Sequence, residues 1–101
     1  MPEFATPFAG LALERKVTHE ELVRAIRYSI AAEYEAIQLY MQLAESTDDK
    51  KAQAVLRDVA NEEKEHVGEF LRLLRELAPD EEQFYENGRQ EVEEMFSKMS
   101  E

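Results

Sequence analysis

The chain has 101 residues and no cysteine, which bounds it to one small domain and excludes disulfides, thiolate zinc sites and iron–sulfur clusters. Its 12 Lys and Arg stand against 23 Asp and Glu. The resulting net charge of -11 argues against nucleic acid, whose phosphates it repels, and favours cations. No run of about 18 apolar residues exists, so neither a membrane-spanning helix nor a membrane partner is expected.

Residues 1–17 carry Pro2, Pro7 and Gly10 and show no clear period, so they are expected to form an extended or mobile arm. Phe4, Phe8, Leu11 and Leu13 give this arm apolar groups that either dock or fray with it. The stretch MPEFATPFAGLALERK lacks the basic start of a signal peptide, and a cytoplasmic setting is the default.

The structured unit is expected over residues 18–99, with Glu, Ala, Leu and Arg favouring helix throughout. Thr18 followed by Glu21 fits a capping box, and Val17 with Leu22 fits a hydrophobic staple. From there Leu22, Ile26, Ile30, Ile37, Tyr40 and Ala44 follow alternating steps of three and four. Glu33 falls in the gap of this series. The spacing predicts a helix to about Glu45, packed at a shallow angle as in bundles.

Ser46-Thr47-Asp48-Asp49 is a turn rich in capping residues. A second helix is expected from about Asp49 to Leu77, stopped by Pro79. Its seam reads Ala52, Leu56, Val59, Glu63, His66, Phe70, Leu73 or Leu74, and Leu77. It is apolar except at Glu63 and His66. Asp80 is expected to cap a third helix over about 81–99, broken or kinked at Asn87-Gly88.

Three metal-capable residues thus occupy positions where the period asks for Leu or Ile. A carboxylate in a helix core is costly unless it is paired or holds a cation. With the turn centred on Asp48, Glu33 and Glu63 lie equally far from it and therefore at the same height on antiparallel helices. His66 is one turn from Glu63 on the same face. Glu62 competes with Glu63, since it is also within reach of His66, but it lies beside the seam. Tyr40 is two turns from Glu33, about 10 Å along the axis, either a core residue with a bonded hydroxyl or a group behind the site.

Glu33, Glu63 and His66 make half of a dinuclear carboxylate site, which in helix bundles uses four carboxylates and two histidines from four helices. A two-helix hairpin also cannot cover both its apolar faces. Both arguments predict two hairpins paired about a two-fold axis. The fold class expected is all-α: an antiparallel two-helix hairpin plus a short C-terminal helix, completing a four-helix bundle on dimerisation.

AAEYEAIQLY followed by NEEKEHVGEF resembles the ferritin-like pattern of E-x6-Y on one helix and E-x-x-H on the next, here Glu33 to Tyr40 and Glu63 to His66. One copy in about 100 residues is similar to the encapsulated ferritins, the iron-oxidising cargo of encapsulin nanocompartments. The resemblance covers roughly residues 18–77. It implies a ferroxidase that converts Fe2+ to Fe3+ with dioxygen or peroxide. It also implies an annular assembly of dimers, commonly a decamer, and an encapsulin shell partner. By position it makes Glu33, Glu63 and His66 iron ligands at a di-iron catalytic site with Tyr40 beside them, and Glu35 an acidic residue of the metal access path. Ala32 and Leu39 stand where that path often has an acidic residue and a Trp. The ending FSKMSE does not resemble a shell-docking peptide, which points to docking elsewhere or to one domain of a longer shell-fused chain.

Two other readings stay open on the sequence. One is a rubrerythrin-like peroxide reductase with an external electron donor. The other is a non-catalytic adaptor hairpin in which Glu33 and His66 form a buried hydrogen-bonded pair. Mn or Zn suits the same donor set as Fe. His19, at a helix start, reads as exposed and inert.

Overall fold

In the computed structural model, residues 15–100 are described. Phe4, Phe8, Leu11, Leu13 and the rest of the expected arm up to residue 14 lie outside them. Three helices follow: α1 His19–Ser46, α2 Lys50–Leu77 and α3 Pro79–Met99.

α1 starts where the capping box puts it. Thr18 Oγ1 accepts from the Glu21 N–H at 3.2 Å, and Glu21 Oε1 accepts from the Thr18 N–H at 2.8 Å. Arg15 adds a two-pronged ion pair to Glu21 at 2.7 and 2.8 Å. The Arg15 guanidinium first, and the Thr18 N–H next, lower the Glu21 carboxyl from 4.5 to about 2. A depressed carboxyl stabilises the fold fully above its ordinary value and loses that contribution as pH falls through about 2. Replacing Thr18 with alanine is expected to cost on the order of 1 kcal/mol, read as a lower thermal midpoint by circular dichroism.

Asp49 caps α2, its Oδ1 accepting from the Ala52 N–H at 3.0 Å. α2 ends at Leu77, as Pro79 requires. The start of α3 differs from expectation. Pro79 itself is the first helical residue, and Ala78 is the cap without a side-chain bond. Proline is tolerated there because that N–H has no intrahelical partner. Asp80 therefore sits inside the first turn with Glu81 and Glu82, where three carboxylates complement the helix dipole. α3 also runs through Asn87-Gly88 without a break.

α1 and α2 form an antiparallel hairpin. Its register is fixed at three levels: Gln53 against the Thr47 carbonyl at the turn, His66 against Glu33 midway, and His19 against Leu77 at the open end. The core is Val23, Ile26, Ile30, Ile37, Val67 and Leu74. Leu22, Met41, Phe70 and Leu77 pack against it and stay partly exposed, and Ala44 and Ala60 are fully buried near the same seam.

This core sits about one residue away from part of the predicted seam. Val23, Ala60 and Val67 were not in it, whereas Leu22, Val59 and Phe70 are only half-buried, His66 is exposed, and Leu74 rather than Leu73 is inside. The three–four period marks the direction to the middle of a four-helix bundle. The closest contact between two helices lies to one side of that direction.

α3 buries none of its residues. It is tied to the hairpin by polar contacts: the Arg27 guanidinium bonds Glu81, whose Oε2 also accepts from the Tyr85 hydroxyl. Arg27, and then Tyr85, hold the Glu81 carboxyl below its ordinary value. Burial pushes the Tyr85 hydroxyl up. His19 is exposed, as expected, and its Nε2 lies 2.7 Å from the Leu77 carbonyl. Bonded there, the ring donates to one of the carbonyls that a helix end leaves unpaired.

The result is open. The Cα radius of gyration is 17.9 Å, against about 13 Å for a compact domain of this length. Among the described residues, Tyr34, Leu39, Leu43, Val55, Leu71, Leu73 and six large side chains of α3 (Phe84, Tyr85, Val92, Met95, Phe96 and Met99) stand at least two-fifths exposed.

Candidate metal centre

Halfway along the hairpin, α1 contributes Glu33 and α2 contributes Glu63 and His66. His66 Nδ1 lies 3.4 Å from Glu33 Oε2 and 3.7 Å from Glu63 Oε2. One ligand atom from each of the three residues lies within 4.8 Å of the others. Two ligands about 2.1 Å from a shared ion are at most about 4.2 Å apart, so side-chain motion of about half an ångström closes the group on a metal.

The two carboxylates are mostly covered, with side chains 21% and 17% exposed, whereas His66 is 48% exposed. Glu33 Oε2 is fully buried and has no hydrogen-bond partner. An acceptor left in that state costs roughly 1–3 kcal/mol, more when charged. The donor set of two hard carboxylates and one imidazole fits iron and suits manganese or zinc as well. The residues present therefore fit a first-row divalent metal.

The sequence-level alternatives separate in space. Glu62 is exposed and lies outside the cluster, and so is Glu35. Glu35 sits on the outer side of α1 in a shallow groove with Ala32, Ala36, Gln38, Leu39 and Gln42. Tyr40 is half-buried on α1, seven residues after Glu33. Among the described residues no second group of three such ligands occurs.

The site opens on one side. His66 faces outward with Val55 and Leu73 exposed and Val59 and Phe70 half-buried along the same side of α2. On α1, Ala25, Ser29, Ala32 and Ala36 follow at steps of four, three and four on the side that also carries Tyr40. Small side chains there let another helix come close.

A helical hairpin with glutamates and a histidine close together, in the frames E-x6-Y and E-x-x-H, has the layout of the ferritin-like proteins. The Rubrerythrin family model matches residues 24–101. A Ferritin-like-encapsulin shell fusion protein of Pyrococcus furiosus is 43% identical over 82 residues, 81% of this chain. The Encapsulin nanocompartment cargo protein EncC of Myxococcus xanthus is 42% identical over 81 residues, 80% of this chain. The chain spans 24% of the first relative's length and 61% of the second's. The crystal structure of the encapsulated ferritin domain from Pyrococcus furiosus superposes with a TM-score of 0.79 at 41% identity, covering 84% of this chain and 87% of that one. The chain belongs to the encapsulated ferritins, within the rubrerythrin family of ferritin-like proteins.

Proposed function

We propose that two copies of this chain form a site that oxidises Fe2+ to Fe3+, each copy supplying Glu33, Glu63 and His66. The observation that carries this reading is the buried, unbonded Glu33 Oε2 beside His66 and Glu63. The adaptor reading pairs that oxygen with His66, but the 3.4 Å approach of Nδ1 does not complete a hydrogen bond to it; a cation between the three side chains would satisfy it. Proteins of this family typically hold two irons between carboxylates and histidines. A single copy with three donors holds half such a set.

Each residue has a distinct task. Glu33 and Glu63 would hold the ions as hard carboxylate donors that favour Fe3+, and His66 would serve as the donor that suits Fe2+. The open side of His66 is where the second copy's helices would approach, across the small residues of α1. Two Fe2+ together give two electrons to one dioxygen, which takes up two protons and leaves as hydrogen peroxide. Tyr40, two turns from Glu33, would act from behind the site, orienting a ligand through its hydroxyl. Glu35 and the acidic outer face attract Fe2+ toward the hairpin.

The relatives' names place one in fusion with an encapsulin shell and another as encapsulin cargo. On that basis the Fe3+ would be stored in such a compartment, with the shell protein as partner. The hairpin is too small to enclose a mineral itself. The family match also supports peroxide as the alternative oxidant, the peroxide-reductase reading.

The test is the rate of Fe2+ oxidation followed by absorbance and oxygen consumption. Peroxide consumed faster than dioxygen would favour the second reading. Glu62→Ala is expected to keep most of the activity, because Glu62 lies outside the cluster. A loss equal to that of Glu63→Ala would exchange the two roles.

A further inference from the structure

α1 carries a second regular stripe, turned away from the core. Glu21, Arg24, Tyr28, Ala31, Glu35 and Leu39 follow at steps of three and four, the spacing of one helix face. The buried Ile26, Ile30 and Ile37 lie on the other side of the helix. Two shallow grooves follow one another along the stripe. The first is lined by Arg24, Arg27, Tyr28 and Ala31. The second is the groove of Glu35 and Leu39. Leu39 is 51% exposed, and Tyr28 is half-buried although it faces away from the core.

The chain that precedes α1 leaves from this stripe. Arg15 is pinned to Glu21, the first residue of the stripe, by two bonds. Residues 1–14 contain Phe4, Phe8, Leu11 and Leu13, and carry Glu3 and Glu14 with no Lys or Arg. Their spacing matches the grooves. An extended chain advances about 3.3 Å per residue, which puts Leu11 about 13 Å and Phe8 about 23 Å back from Arg15. A helix rises about 1.5 Å per residue, so Ala31 is about 15 Å and Ala36 about 23 Å along α1 from Glu21. Running back beside α1, Leu11 comes level with the first groove, Phe8 with the second, and Glu14 with the opposite charge of Arg24.

We propose that residues 1–14 dock on α1 of their own chain, antiparallel to it, with Leu11 in the first groove and Phe8 in the second. The docked segment covers apolar surface at Tyr28, Ala31 and Leu39 that the three helices leave open. It leaves free the side of α1 that bears Glu33 and Tyr40. The inference is therefore independent of the iron reading.

The chain has no cysteine, so a pair of introduced cysteines reports this contact alone. Ala9 lies between Phe8 and Leu11, and Ala31 lines the first groove on the side of the second. The full chain carrying Ala9→Cys and Ala31→Cys is oxidised and followed by non-reducing electrophoresis, with circular dichroism checking that helicity is kept. A disulfide forms only when the two Cβ atoms come within about 4.5 Å. It should form within one chain at least tenfold faster than in Ala9→Cys with Gly68→Cys, whose second cysteine is exposed on α2 at a similar height. Adding Phe8→Ser and Leu11→Ser, which leave the helices untouched, should slow the first disulfide at least tenfold. Equal rates for the two pairs overturn the proposal, as does a rate that the serine substitutions leave unchanged or a disulfide that does not form. A disulfide found only in a crosslinked dimer overturns docking on the same chain and gives the segment to a second copy.

Discussion

Glu33→Ala is expected to abolish rapid Fe2+ oxidation and to leave the helical hairpin folded. Losing a direct ligand should exceed the roughly 10–100-fold penalty of losing a group that merely orients one. His66→Ala should act in the same way, because its Nδ1 is within 3.7 Å of both carboxylates. Stability should move in the other direction from activity. Glu33 Oε2 is buried without a hydrogen bond, and removing such a group relieves a cost of roughly 1–3 kcal/mol, partly offset by lost packing. The metal-free variant should therefore melt at or above the temperature of the parent chain. Stopped-flow absorbance gives the first quantity and circular dichroism the second. Parent-like oxidation rates in both variants would show that the three residues are structural.

Fe2+ should promote association of the chain, and anaerobic titration should saturate near two Fe2+ per pair of chains. The sign follows from charge and linkage. Pairing two hairpins brings together Glu33 and Glu63 from each, within a chain of net charge -11. Cations offset that repulsion. A ligand that binds only the associated form stabilises it by about 2.7 kcal/mol at a hundredfold excess over its dissociation constant. Light scattering at low ionic strength, with and without Fe2+, measures the shift. Saturation at two Fe2+ per single chain would contradict the shared site. A folded monomer at micromolar concentration with metal present would contradict both the assembly and the shared site. A closed ring, the decamer implied by the resemblance, would need an interface beyond the paired site.

Much of the hairpin is legible in the sequence because its determinants are local. Thr18 and Glu21 close a capping box across one turn, Asp49 caps across three residues, and Pro79 stops α2 wherever the chain goes. The matching height of Glu33 and Glu63 needs only a short turn and a constant rise per residue. Their polarity at apolar positions marks them before any packing is known.

What the tertiary structure decided is where those helices touch. Residues with one period served two packing directions. Val23, Ala60, Val67 and Leu74 close the hairpin, while Glu63 and His66 are turned toward its open side. A period of three and four cannot tell these directions apart, because they differ by about one residue on the helix surface. The start of α3 differs from the local pattern for a related reason. Asp80 is a good capping residue, but Pro79 continues from the corner at Ala78 and takes the first helical position. The contacts of His19 with Leu77 and of Arg27 with Glu81 join residues 58 and 54 positions apart. No local pattern encodes such pairs. They exist because the hairpin brings the end of α2 and the start of α3 back beside the start of α1.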